Sequence, residues 1–194
     1  MSLDLKAELL RHLRASRAGL IWKTDSLSEL DLRLPRTPTG TSLLGLVKHC
    51  AYIQHGYFVD CLGQSSELEL VEVDFDADPN GDLYATADET AEGIIALFSQ
   101  VNEVVDEVIE RLPLDAPGHV PWWGADTTLG ALLVHVLDDV TRHAGQADIV
   151  REGIDSSAGL RPGVDNLWEP VGGWSEHVHR LTQIARNASS GTRN

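Results

Sequence analysis

Residues 128–152 read TLGALLVHVLDDVTRHAGQADIVRE, and this stretch decides the fold. Leu129, Leu132, Val136, Val140, Ala147 and Val150 recur at spacings of three, four and seven, the period of a helix with one buried face. At about 100° per residue, His143 falls near the centre of that face, Asp139 about 60° to one side and His135 about 100° off centre. His135, Asp139 and His143 stand four residues apart, so their side chains stack along one side of the helix. A carboxylate and an imidazole stacked this way can grip one metal ion. A third ligand from a neighbouring helix would leave a coordination position open for chemistry, as catalytic zinc sites require.

Working outward, three more long helices are expected. The first covers 3–23, with Leu5, Leu9, Leu13 and Leu20 at apolar positions. The tract DSLSELDLRLPRTPTG then breaks it, with one helical turn near Ser28–Leu32. The second covers about 42–62, capped by Thr41, with Leu46, Cys50, Ile53 and Tyr57 as its stripe. His49 lies about 60° from the centre of that stripe, while His55 lies opposite and is expected in solvent. Gly63 ends this helix. Thr86-Ala-Asp-Glu89 reads as a capping box opening a third helix over 87–112, which Pro113 stops. The fourth is the stretch quoted above.

Residues 64–85, acidic and irregular, read as a long crossover with an extended piece at Val71, Val73 and Phe75. LDAPGHVPWWGAD reads as a loop whose adjacent Trp122 and Trp123 serve as packing lids or as a ligand-facing wall. A Gly- and Pro-rich segment follows the fourth helix, then a last helix over 175–187 and a tail, ASSGTRN, expected to be disordered. The expectation is one all-α domain over 1–194. A four-helix bundle occupies about 3–153, with a long crossover between its second and third helices and a C-terminal helical appendage at 154–188. In such bundles metal sites are built between facing helices.

The 194 residues carry a formal net charge of −15, with 42% hydrophobic and 23% charged residues. That surface repels phosphate backbones and argues against nucleic acid as a partner. No apolar run approaches the ~20 residues of a membrane span, and MSLDLKAELLRHLR lacks the apolar core of a signal peptide, so a cytoplasmic protein is expected. Cys50 and Cys61, if on one helix, are separated by about 16 Å of rise, too far for a disulfide. They read as reduced, buried thiols, and Cys50 beside His49 is the better candidate for a reactive one. There is no internal repeat and no glycine-rich phosphate loop.

An isolated histidine on an apolar face is usually a satisfied core residue, and Arg142 offers Asp138 or Asp139 an ordinary ion pair. A metal is the competing explanation, because Asp139 and His143 border a buried stripe where an unpaired carboxylate is costly.

The segments GTSLLGLVKHCAYIQHGYF, DPNGDLYATADET and TLGALLVHVLDDVTRHAGQADIVREGID resemble the DinB/YfiT-like superfamily of metal-dependent four-helix bundles. They are similar to its actinobacterial branch of mini-circle-protein-like sequences, over about residues 5–188. The resemblance implies a metal held by one histidine of the second helix and a pair four apart on the fourth, here His49, Asp139 and His143. Relatives often carry histidine at the middle position, and the mycothiol-dependent maleylpyruvate isomerase carries glutamate. Asp139 departs from both. His135 then becomes a neighbour of the site. The resemblance also implies a divalent metal, often zinc, a thiol cosubstrate such as mycothiol, and dimerisation in some members.

Three readings follow. In the first, the metal activates a low-molecular-weight thiol for attack on an electrophile, which enters near Trp122, Trp123, Tyr57, Cys50 and the C-terminal segment. In the second, a hydrolase or isomerase uses a metal-activated water, with His135 or His119 as base. In the third, a stress or binding protein holds a closed structural site, with His135 as fourth ligand.

Overall fold

The computed structural model describes residues 4–161, 163–164 and 167–190. The chain order is α1 (Leu5–Trp22), α2 (Glu29–Arg33), α3 (Leu43–His55), a π-helical segment (Gly56–Asp60), α4 (Ala91–Arg111), β1 (Pro117–Val120), β2 (Ala125–Thr128), α5 (Leu129–Asp155) and α6 (Gly173–Ser190). Helices α1, α3, α4 and α5 form the bundle. Within it, α5 packs on α1 and α3, and α4 packs on α3 and α1. Leu13, Leu20, Leu44, Phe58, Phe98, Leu132 and Leu133 are among the fully buried side chains. Each contributes about 1.5–3 kcal/mol through removal from water.

Each bundle helix starts where a short polar side chain takes over a backbone N–H. Asp4 accepts from Ala7, Ser42 from Gly45, Thr90 from Gly93 and Thr128 from Ala131. The second helix is therefore capped by Ser42, one residue after Thr41. The third starts at Ala91, later than the box at Thr86–Glu89 predicts. One limb of that box does form, since the Thr86 N–H donates to Glu89 Oε2 at 2.7 Å. However, the same carboxylate is held by Lys48 Nζ at 2.9 Å. Glu89 is thus tied to α3, and Thr90 becomes the cap.

The segment expected to be a loop around the paired tryptophans is a hairpin. β1 and β2 pair antiparallel, with Val120 opposite Ala125, and Gly124 turns the chain at φ 62°. Thr128 both ends β2 and caps α5, so the hairpin leads straight into the helix that carries Asp139 and His143. At the other end, α5 continues through Gly153 to Asp155. Arg151 pairs with Asp155 and donates to the carbonyls of Lys23 and Asp25 there.

Residues 61–90 contain no helix or strand, including at Val71–Phe75. This crossover docks on one face of α3, formed by Gly45, Lys48, His49 and Tyr52. The carbonyl of Leu83 comes so close to Gly45 that a Cβ there would lie 1.9 Å from its oxygen. Lys48 Nζ donates to the carbonyls of Gly81 and Tyr84, both at 3.1 Å, and the Tyr52 hydroxyl donates to Val71 O at 2.9 Å.

Helix α6 starts before residue 175 and extends past 187 to Ser190; the rest of the predicted tail, 191–194, lies outside the described residues. Trp174, Val178, Leu181 and Ile184 line one side of α6 and remain about half exposed. Among the described residues no helix is long and apolar enough to cross a membrane.

Candidate metal centre

Because α3 and α5 are neighbours, His49 of the first meets Asp139 and His143 of the second. One potential ligand atom from each of the three lies within 4.8 Å of the others, and all three side chains are partly buried. The two imidazoles meet edge to face, with ring centroids 4.7 Å apart. Asp139 Oδ1 lies 2.9 Å from His143 Nε2. Arg142 pairs instead with Asp138, at 4.0 Å on the exposed side, which leaves Asp139 to the interior cluster.

Behind these groups stands a second set. His49 Nδ1 is 2.7 Å from Asp82 Oδ2, and His143 Nδ1 is 2.7 Å from Gln146 Oε1. Both partners are acceptors, so each Nδ1 carries the proton and each Nε2 is the atom available to an ion. Metal-binding histidines are oriented in this way. Asp82 is itself buried. The donor set, two imidazole nitrogens and one carboxylate oxygen, suits a borderline divalent ion such as zinc. The residues therefore fit the metal that the resemblance implies.

The electrostatics agree with a tightly coupled pair. The Asp139 carboxyl is held below its ordinary value by the hydrogen bond from His143, against the opposing effect of burial. For His143, burial disfavours the charged ring, but its hydrogen bonds to Asp139 and Gln146 outweigh this and raise the pKa.

Next to the triad is an aromatic group. The Tyr57 hydroxyl lies 3.2 Å from His135 Nε2 and accepts from the Trp122 indole N–H at 3.3 Å. Trp123 packs on both the Tyr57 and His135 rings. His135 belongs to this group and lies outside the metal-ligand cluster. Tyr57 and Trp122 line a cleft of about 770 Å³ that also has His49 and Asp82 in its wall. The opposite wall is the crossover, through Leu70, Val71, Val73, Phe75 and Leu83. Among the described residues, none of the C-terminal segment contributes to it.

Three expectations need correction. Cys50 is not a pocket residue: α3 turns it into the core, where it is fully buried. Burial pushes its thiol well above the ordinary value, as it pushes Cys61 up to about 11. His119 projects from β1 into solvent, held by Asp126 at 2.9 Å, and does not face the cleft. His55 is not solvated: its side chain is 12% exposed, with Nδ1 3.4 Å from Asp60, because the crossover and the π-helical segment close over that side of α3.

Sequence reasoning missed Asp82, Gln146, Lys48 and the apolar crossover residues. Gln146 could have been found, since it follows His143 by three positions on the same helix. Asp82 gave no such signal, being 33 residues from its histidine.

Fold and site together define a four-helix bundle with a His–Asp–His cluster, able to hold a metal ion, between facing helices. The mycothiol-S-transferase family model matches residues 8–156, and the chain belongs to that family. A conserved protein from Enterococcus faecalis, known from its crystal structure, is similar over 80% of this chain and 100% of its own. Its TM-score is 0.64 at 12% identity, which speaks to the fold alone. No curated protein matches the sequence.

Proposed function

We propose that the protein is a divalent-metal-dependent thiol S-transferase in which His49, Asp139 and His143 hold the ion. The observation that carries this reading is the pair of imidazoles whose Nδ1 atoms are already committed to Asp82 and Gln146, beside an apolar cleft. When bound, the ion supplies the positive charge that favours the thiolate form of a sulfur ligand, the nucleophile of the transfer.

The chain's own residues do the rest. Asp82 and Gln146 keep both imidazoles oriented. Tyr57 and His135, hydrogen-bonded to each other, with His135 one helical turn before Asp139 on α5, take up the proton released by the thiol. Trp122 fixes the Tyr57 hydroxyl through its indole N–H. The crossover excludes water from the electrophile. No protein nucleophile is required, and the deeply buried Cys50 does not serve as one. Zinc is the expected ion and mycothiol the expected thiol, in a cytoplasmic protein that forms homodimers. His135 is engaged by Tyr57, which speaks against a closed four-ligand structural site.

Elemental analysis of purified protein should find close to one divalent ion per chain. Mycothiol should then be consumed with a panel of electrophiles in a metal-dependent manner. Turnover that proceeds equally without any thiol would replace this reading with a metal-dependent hydrolase or isomerase.

A further inference from the structure

The cleft combines apolar walls with a one-sided set of charges. Its apolar contributions come from Ile53, Leu70, Val71, Val73, Phe75 and Leu83, with Tyr52, Tyr57 and Trp122. Its titratable lining consists of the carboxylates of Asp60, Glu72 and Asp82 and the imidazoles of His49 and His55; among the described residues no lysine or arginine lines it. The buried cation Lys48, with Nζ 5.6 Å from the centroid of the Tyr52 ring, does not line the cleft and is engaged by Glu89 and two crossover carbonyls.

A divalent ion in the centre does not reverse this sign. With an ion held there, Asp139 and Asp82 together would offset its two charges, which leaves Glu72, and Asp60 with His55 beside it at 3.4 Å, as the remaining carboxylates of the cleft. The chain as a whole adds to the effect, with a net charge of −15. An anionic ligand would lose its hydration on entry and gain no cationic partner. An apolar ring loses nothing and gains the walls.

We infer that the cleft takes uncharged or cationic, largely apolar electrophiles and rejects anionic ones. This rests on the S-transferase reading for the word electrophile, but the charge selection itself is a property of binding. In the transfer, the thiolate sulfur forms a bond to the electrophilic carbon, the carbon–halogen bond of a haloarene breaks, halide leaves with the electron pair, and the thiol's proton passes to Tyr57–His135 and then to solvent. A carboxylate on the ring would sit among Asp60, Glu72 and Asp82 throughout.

The test has two arms, both on the metal-loaded full chain. In the first, calorimetric titration measures binding of three naphthalenes of matched size: an alcohol, an ammonium and a carboxylate. The alcohol and the ammonium should bind about tenfold or more tighter than the carboxylate, the size expected for like charges a few ångströms apart at partly solvated sites. Substituting Glu72→Lys together with Asp60→Lys should narrow or invert that ratio, while metal content stays the same. In the second arm, a chloronitroarene and its carboxylate-bearing analogue are compared with mycothiol, each rate divided by its uncatalysed rate.

Carboxylate binding as tight as the alcohol, no binding of any of the three, or a ratio untouched by the two substitutions would each overturn the inference. Selective binding with no thiol consumption would sink the S-transferase reading and leave the selectivity standing. Thiol transfer to both arenes with equal enhancement would do the reverse.

Discussion

At the residue scale, the centre depends on which nitrogen of each imidazole is occupied. Asp82→Asn keeps the shape of the acceptor but loses its charge, so divalent-metal affinity should fall about 10- to 100-fold. A competitive chelator titration reads this directly. Asp139→Asn should lose the ion, whereas Asp139→His and Asp139→Glu should retain it; unchanged metal content in Asp139→Asn would remove that residue from the centre. The pH dependence of the metal-free protein has two edges. The raised pKa of His143 contributes stability that is complete below the ordinary histidine value, ~6.5, and is lost as pH rises through the folded value. The lowered pKa of Asp139 contributes stability that is present above the ordinary carboxyl value, ~3.9, and is lost as pH falls through the folded value. Between those edges Asp139→Asn should cost no more than about 1 kcal/mol, since both groups are partly solvated. Thermal melts in chelator across pH check it. Metal affinity should run the other way from the stability that His143 contributes, strengthening as pH rises, because the ion requires a neutral imidazole.

At the element scale, the joint between α3 and the crossover sets the position of Asp82. Lys48→Met should destabilise the protein by about 2–3 kcal/mol, because two carbonyls lose this donor and the Glu89 carboxylate loses its cation, keeping only the Thr86 N–H. It should weaken metal binding as well, by releasing the loop that carries Asp82. Gly45→Ala drives a methyl group into Leu83 O and should have the same double effect; if denaturant unfolding changes while metal affinity does not, the coupling is absent. The same joint explains what was legible in the sequence. The four bundle helices were readable because their signals are local: apolar residues three and four apart, and a cap before each. His49, Asp139 and His143 were readable from those stripes together with the family resemblance. The hairpin was not, because Pro117, Gly118 and Pro121 disguise β1 and neither four-residue strand is long enough to alternate. Asp82, the docking of the crossover and the burial of His55 depend on contacts between residues far apart in sequence, for which no spacing rule exists.

At the scale of the whole molecule, the bundle and α6 contribute differently. The side chains Trp174, Val178, Leu181 and Ile184 of α6 are about half exposed, so they add little apolar burial to the bundle. Removing residues 173–194 should therefore lower the unfolding free energy far less than removal of any bundle helix would. A chemical denaturation curve of the shortened chain measures this, and a loss of several kcal/mol would place α6 in the folding unit. The acidic surface has a separate effect: salt should weaken the discrimination against anions in the cleft, since the contribution of distant charges is screened beyond about 10 Å at 0.1 M.

The crossover is fastened chiefly through its backbone. Lys48 holds the carbonyls of Gly81 and Tyr84, Tyr52 holds the carbonyl of Val71, and Gly45 makes room for the carbonyl of Leu83. Of the side chains that face the cleft from this segment, Leu70 packs on the core, whereas Val73 and Phe75 take no part in the fastening hydrogen bonds and lie outside the core. These two form an exchangeable cassette, in which new residues can be grafted to re-aim the enzyme at other acceptors while helices, caps and ligands stay as they are. A library randomised at Val73 and Phe75 alone should yield variants that differ in acceptor preference yet melt at nearly the same temperature.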